Sequence, residues 1–292
     1  MSQKKNTMQD LNPMERLPMK NNRLRSIYTV PYTAWIVLFV LAPIALIVYY
    51  SFFDLTGNFT LSNYKDFFTS VYLKLTISSF WYAFLITLFS LLIAYPTAYF
   101  ITKTKHKQLW LLLIIIPSWI NLLLKTYAFI GLMGLYGPIN ALLDVIGIGK
   151  QQILFTDFSF VFVSVYIFIP FMILPIFNAL DKLNPALIDA SRDLGANSWT
   201  TFKRVIWPLT INGVKSGIQV VFIPALSLFM ITRLIAGNKV ITLGTAIEQQ
   251  FLVTQNWGMG STIAVFLILF MFIIMMFTTG KEKGVTGNGK NR

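Results

Sequence analysis

Six stretches of this chain are long, apolar and almost free of charge, and that pattern alone confines it to a membrane fold. A helix needs about 20 apolar residues to cross a bilayer core, and residues 32–53, 75–102, 109–134, 158–180, 216–232 and 258–280 qualify. Lys125 is the single charge inside any of them. A composition that is 55% hydrophobic and 12% charged agrees. The expectation is an all-α integral membrane protein of six transmembrane helices, with one spanning domain over residues 31–280. Polar tails at 1–30 and 281–292 flank it. The first apolar run is longer than a signal-peptide core, and Ala42-Pro43 is a poor cleavage setting, so an uncleaved span is expected.

The basic residues set an orientation. Of 24 Lys and Arg, 18 fall in 1–32, 103–108, 181–215 and the segment after 280. The other 6 are Lys65, Lys74, Lys125, Lys150, Arg233 and Lys239. Positive loops stay in the cytoplasm, so both termini and the 181–215 loop are expected there. The net charge of +13 is then a topology and lipid-headgroup signal, not a nucleic-acid footprint. With no cysteine and a lone His106 in the basic loop, disulfides, metal sites and imidazole catalysis have nothing to build on.

The 181–215 loop is the longest polar interruption in the C-terminal half. Asn184-Pro185-Ala186 reads as a capped helix start, and Gly195 can end that helix with a left-handed residue. Ser198 can cap a second helix, which Pro208 stops or bends. Asp189, Ala190, Ser191, Gly195, Val205 and Pro208 then fall at the spacing Glu-Ala-Ala, three residues, Gly, nine residues, Ile-x-Leu-Pro. This resembles the "EAA" coupling loop of ABC importer permeases, with Asp, Ser, Val and Trp207 replacing Glu, Ala, Ile and Leu. The resemblance implies that the loop docks into a groove on a separate ATPase subunit. An amphipathic interfacial helix is the plainer alternative.

Other segments resemble spermidine/putrescine permeases. Pro117-Ser118-Trp119-Ile120-Asn121, followed by Lys125-Thr126-Tyr127, is one; Ala94-Tyr95-Pro96-Thr97-Ala98-Tyr99 and Asn63-Tyr64 are others. The resemblance covers roughly residues 30–280 and implies a type I importer (MetI-like) bundle in the cell membrane, moving polyamines by alternating access. It further implies ABC ATPase subunits that bind ATP and Mg2+, a second permease subunit (a heterodimer) and an extracytoplasmic substrate-binding protein, all embedded in or against membrane lipid.

Candidates for the translocation path are Trp81, Trp119, Lys125, Tyr127 and Phe229. Aromatic rings can hold ammonium groups, although Trp and Tyr are also ordinary interfacial residues. Lys125 can snorkel from the outer end of its span, pair with a neighbouring helix, or face the conduit. Arg233 is a departure, because a cation beside a cationic substrate is unhelpful. It either lies off the path or points to another small solute, such as an anion. No phosphate-cradling Gly-x-x-x-x-Gly-Lys-Ser/Thr and no nucleophile or metal motif occurs, so no catalytic site is expected and no cofactor in this chain. The acid-free spans weigh against a stand-alone proton- or sodium-coupled carrier.

Overall fold

The structure, a computed structural model, describes residues 22–237 and 239–278. Residues 1–21 of the expected tail at 1–30, Asn238 in the expected loop turn, residues 279–280 of the expected last span and the expected tail at 281–292 lie outside the described residues. The chain divides into two compact units, one up to Ile47 and one from Val48.

The first unit is helical. α1 (Asn22–Ile36) continues through a π turn at Val37–Leu41 into α2 (Ala42–Tyr50). The helix runs from Asn22 to Tyr50, and the apolar stretch within it, Thr29–Tyr50, overlaps most of the expected 32–53. Residues 29–47 are almost all apolar, as a helix long enough to cross a membrane must be.

The second unit holds α3 (Ser62–Phe67), α4 (Ser70–Lys103), α5 (Lys107–Ile115) and α6 (Leu122–Met133). After them come α7 (Pro138–Val145), α8 (Asp157–Asp181), α9 (Pro185–Asp193) and α10 (Ser198–Thr201). The unit closes with α11 (Trp207–Leu226), α12 (Met230–Ile235), α13 (Leu243–Leu252) and α14 (Trp257–Thr278). Among the described residues, six stretches are long and apolar enough to cross a membrane.

α4, α8 and α11 make the core. On α4, Ser79, Ala83, Ser90, Ala94 and Ala98 are buried at helical spacing, a small-residue stripe that lets neighbouring backbones approach. α11 answers with Gly213 and Gly217, one turn apart. A Cβ at Gly213 would lie 2.7 Å from the Pro175 carbonyl oxygen, and one at Gly217 would lie 2.7 Å from Met172 Sδ. Between lipid-like surfaces, such close contact is the main source of helix association.

The third crossing differs from the expected uninterrupted helix. α5 runs into a 3-10 turn at Ile116–Trp119, the chain breaks at Ile120, and α6 restarts with Asn121 as its cap. Pro117 is the cause, since it supplies no N–H to continue α5. The two pieces lie antiparallel to α8. Lys107 Nζ meets Asp181 Oδ1 at 2.5 Å at one end, and Phe129 packs on Tyr166 at 5.0 Å higher up. α7 does not prolong α6: Gly134 turns extended, and Asn140 Nδ2 donates to the Gly134 carbonyl at 2.9 Å, folding the chain back.

The fifth crossing is also corrected. Its helix runs over Ser198–Leu226 and then breaks, rather than occupying 216–232. Lys203, Arg204 and Lys215 lie within this helical stretch, and Trp207 to Lys215 belong to α11 rather than to a loop. Pro208 does not stop it. A π turn at Phe202–Ile206 precedes the proline and absorbs its missing donor, so helix continues on both sides.

The close contact at Gly213 gives a first test. Gly213→Leu should force α8 and α11 apart at a cost of about 1–3 kcal/mol, read as a lower unfolding temperature of the detergent-solubilised protein. Gly131→Leu, at a glycine with open space around its Cβ position, should leave that temperature nearly unchanged.

Candidate functional site

The loop between α8 and α11 is assembled by local rules. Asn184 Oδ1 accepts the Ala186 N–H at 3.0 Å, and Pro185 fills the first helical position. α9 ends in a Schellman closure: the Gly195 N–H donates to the Arg192 carbonyl at 2.8 Å and the Ala196 N–H to the Ser191 carbonyl at 3.1 Å. Gly195 has φ +79, the left-handed value read from the sequence. The cap of the second helix is Asn197 rather than Ser198, with Oδ1 accepting the Thr200 N–H at 2.8 Å.

The two loop helices are joined by Ser191 Oγ and Thr201 Oγ1 at 3.1 Å. Trp199 stacks on Phe202, and Phe202 meets Tyr95 edge-on at 5.7 Å. Tyr95 also packs on Trp207 and shares a 2.9 Å hydrogen bond with Thr210. The loop is thus braced against α4 and the start of α11. Asp189 and Ala190 are exposed, as are Leu187, Leu194 and Trp199, while Asp189 reaches Arg192 at only 4.0 Å. Ser191 is spent on the brace and Val205 is partly covered; Pro208 is exposed. The loop therefore presents a mixed apolar and charged face from a rigid support.

At the opposite end of the bundle, sequence reasoning missed a break. α11 stops at Leu226, and α12, a short connection and α13 follow before α14 begins. The Leu228 carbonyl, left without a helical donor, accepts from Thr232 Oγ1 at 2.7 Å and from Thr242 Oγ1. Thr245 Oγ1 donates to Thr232 Oγ1 at 3.2 Å, and Ser79 Oγ receives the Leu243 N–H at 2.7 Å. Arg233 itself is paired: Nη1 lies 2.9 Å from Glu248 Oε1, and both line a cavity of about 200 Å³ with Thr245 and Gln249.

The five path candidates do not converge. Trp81 is exposed and lies against Phe84, Trp119 and Tyr127 are exposed, and Phe229 sits at the break after α11. Lys125 lines a cavity of about 210 Å³ with Pro117, Ser118, Tyr166 and Pro170, and none of the other four lines it. It lies opposite the middle of α8. Asn63 and Phe67 are not free to meet a partner: Asn63 Nδ2 donates to the Phe53 carbonyl at 2.9 Å, and Phe67 stacks on Phe266 at 3.9 Å. In the neighbouring turn, hydrogen bonds from the Thr56 side chain and the Asn58 N–H hold the Asp54 carboxyl below its ordinary pKa.

Comparison with known proteins places the fold in a family. Residues 88–286 match the family described as binding-protein-dependent transport system inner membrane component. The chain belongs to this family. It is 35% identical to the spermidine/putrescine transport system permease protein PotB of Haemophilus influenzae, over 87% of this chain and 93% of that one. It is 34% identical to the Escherichia coli K12 protein of the same description, over 85% and 94%. A crystal structure of a bacterial ABC transporter importing the acidic polysaccharide alginate shares the fold, with a TM-score of 0.76 at 16% identity, covering 89% of this chain and 94% of that chain. A second structure, in complex with an alginate-bound periplasmic protein, also has a TM-score of 0.76 at 15% identity, covering 89% and 93%. The protein is therefore a multi-pass inner-membrane permease.

The Arg233–Glu248 pair yields the test from this geometry. Arg233→Glu places two carboxylates together and should lower the unfolding temperature, while Arg233→Glu with Glu248→Arg should restore it. A double-mutant cycle is expected to give a coupling near 1 kcal/mol; additive effects would show the pair to be energetically idle.

Proposed function

We propose that this chain imports spermidine or putrescine as one of two permease subunits of an ATP-driven importer. Near full-length identity to spermidine/putrescine permeases carries the reading. The pairing of Arg233 with Glu248 supports it, since Arg233 is then a neutralised cation and no longer argues for an anionic solute.

In this reading the α9 end lies in the cytoplasm, as its basic residues favour. Separate ATPase subunits bind ATP and Mg2+ there and grip the exposed face carrying Asp189 and Ala190. Their closure moves α9, and the Ser191–Thr201 and Tyr95–Thr210 links pass that motion to α4 and α11. The opposite end, with its broken helix, receives substrate from an extracytoplasmic binding protein. The single experiment is transport by the reconstituted complex. Polyamine with its binding protein should raise ATPase activity, and a complex that ignores polyamines but responds to an anion would overturn the substrate class.

Orientation is checked separately. A cysteine placed at Asn197 of this cysteine-free chain should resist an impermeant thiol reagent applied to intact cells. Labelling from outside would reverse the topology.

Coupling is checked at Gly195. No atom lies within 4 Å of a Cβ there, so only the backbone conformation resists substitution. Gly195→Val should therefore strain the turn by about 1–3 kcal/mol and cut uptake at least tenfold at normal membrane levels. Gly195→Asn, which tolerates a left-handed backbone, should keep most of the uptake. Equal uptake in both variants would make the loop a passive connector.

A further inference from the structure

Halfway along α8, the third crossing places in an apolar cleft a charge that no described residue of this chain answers. Lys125 is 9% exposed and lines the cavity formed with Ile114, Pro117, Ser118 and the Tyr166–Pro170 segment. At about 1.5 Å per residue, that segment lies about 14–20 Å from the Asp157 end of α8 and about 16–22 Å from the Asp181 end. Among the described residues, no acid or hydrogen-bond acceptor pairs with the Lys125 ammonium. Ser118 Oγ, the one hydroxyl in the cavity wall besides that of Tyr166, donates to the Ile115 carbonyl at 2.6 Å.

The local backbone adds to the same sign. Lys125 sits in the first turn of α6, whose N-terminus is capped by Asn121 and carries partial positive charge. The third crossing thus places two positive sources at mid-depth in an apolar cleft. Intramembrane charges face the bundle interior or a water-filled cavity, and they pair with one another or with backbone carbonyls.

Among the described residues, this chain does not supply that partner. Its 11 Asp and Glu all lie outside the apolar stretches, and Asp157 and Asp181 stand only at the two ends of α8. A second copy of the chain has the same acid-free spans and would bring a second lysine. Trp119 and Leu124, which flank the cavity residues in sequence, are exposed and apolar, and Tyr166 in the cavity wall is half-exposed. A helix from another subunit therefore has surface to seat on.

We propose that Lys125 receives a carboxylate carried within a transmembrane helix of a second, different permease subunit. The pair closes the interface between the two permeases at mid-membrane. The proposal rests on the two-permease reading above and adds to it that the partner is a distinct chain with an intramembrane Asp or Glu.

The test uses the complete importer, purified through a tag on this chain, with recovery of the second permease subunit as the readout. Membrane level of the tagged chain serves as the folding control. Lys125→Arg should keep recovery near normal. Lys125→Met should lower it at least about tenfold, because removing one member leaves the other charge buried and alone; Lys125→Glu should lower it further. Neutralising one acid in the partner's spans, Asp to Asn or Glu to Gln, should then restore recovery with Lys125→Met.

Normal recovery with Lys125→Met at a normal membrane level would overturn the proposal. So would the lack of any partner acid whose neutralisation rescues that variant. Loss of recovery from the wild-type complex when chloride is replaced by gluconate would overturn it too, by assigning the counter-charge to a small anion. Absence of any second permease beside the wild-type chain would overturn the two-permease reading itself, a different result from all of these.

Discussion

Every break in a membrane helix must find a donor or acceptor inside the protein, and the architecture of this chain follows from how its breaks are satisfied. α11 ends inside the bundle, and the Leu228 carbonyl it leaves behind accepts from Thr232 and Thr242. α6 restarts under an Asn121 cap, and the reversal after α6 is tied by Asn140, whose Nδ2 and Oδ1 both engage backbone groups. Pro208 is accommodated by a π turn, with no stop in the helix. Threonine and asparagine at these points do for irregular backbone what water does in a soluble loop.

That economy explains where rigidity lies. α4, α8 and α11 pack through small residues and glycines, and the loop carrying α9 is fastened to this core through the Tyr95, Phe202 and Trp207 cluster. A docking surface is useful for transmission only if its support does not yield. Here Leu187, Asp189 and Ala190 stand exposed on α9, while Ser191 and Thr201 are hydrogen-bonded to each other. The division of labour within the loop is between side chains that face out and side chains that brace.

The helical crossings were legible because apolar length is a strong signal, and Gly195 because few residues other than glycine fill a left-handed turn without strain. Helix ends were less so. Basic residues were read as span boundaries, yet Lys203, Arg204 and Lys215 lie inside one helical stretch from Ser198 to Leu226. Charge marks the depth at which water begins, not the residue at which a helix stops. The break after Leu226 was invisible because its cause is distributed: the threonines that satisfy it come from 232, 242 and 245, and no local pattern joins them.

Two cations that looked alike in sequence have opposite fates, and the difference is one of depth. Arg233 lies in the irregular segment that follows the fifth crossing, where Glu248 meets it from α13 at 2.9 Å. Lys125 lies opposite the middle of α8, where the acid-free spans of this chain bring no counter-charge. An exposed pair such as the first contributes little to stability. A buried, solitary charge has large energetic consequences until it is paired. It is therefore Lys125, and not the more conspicuous Arg233, that carries information about what else must be present in the membrane for this fold to be complete.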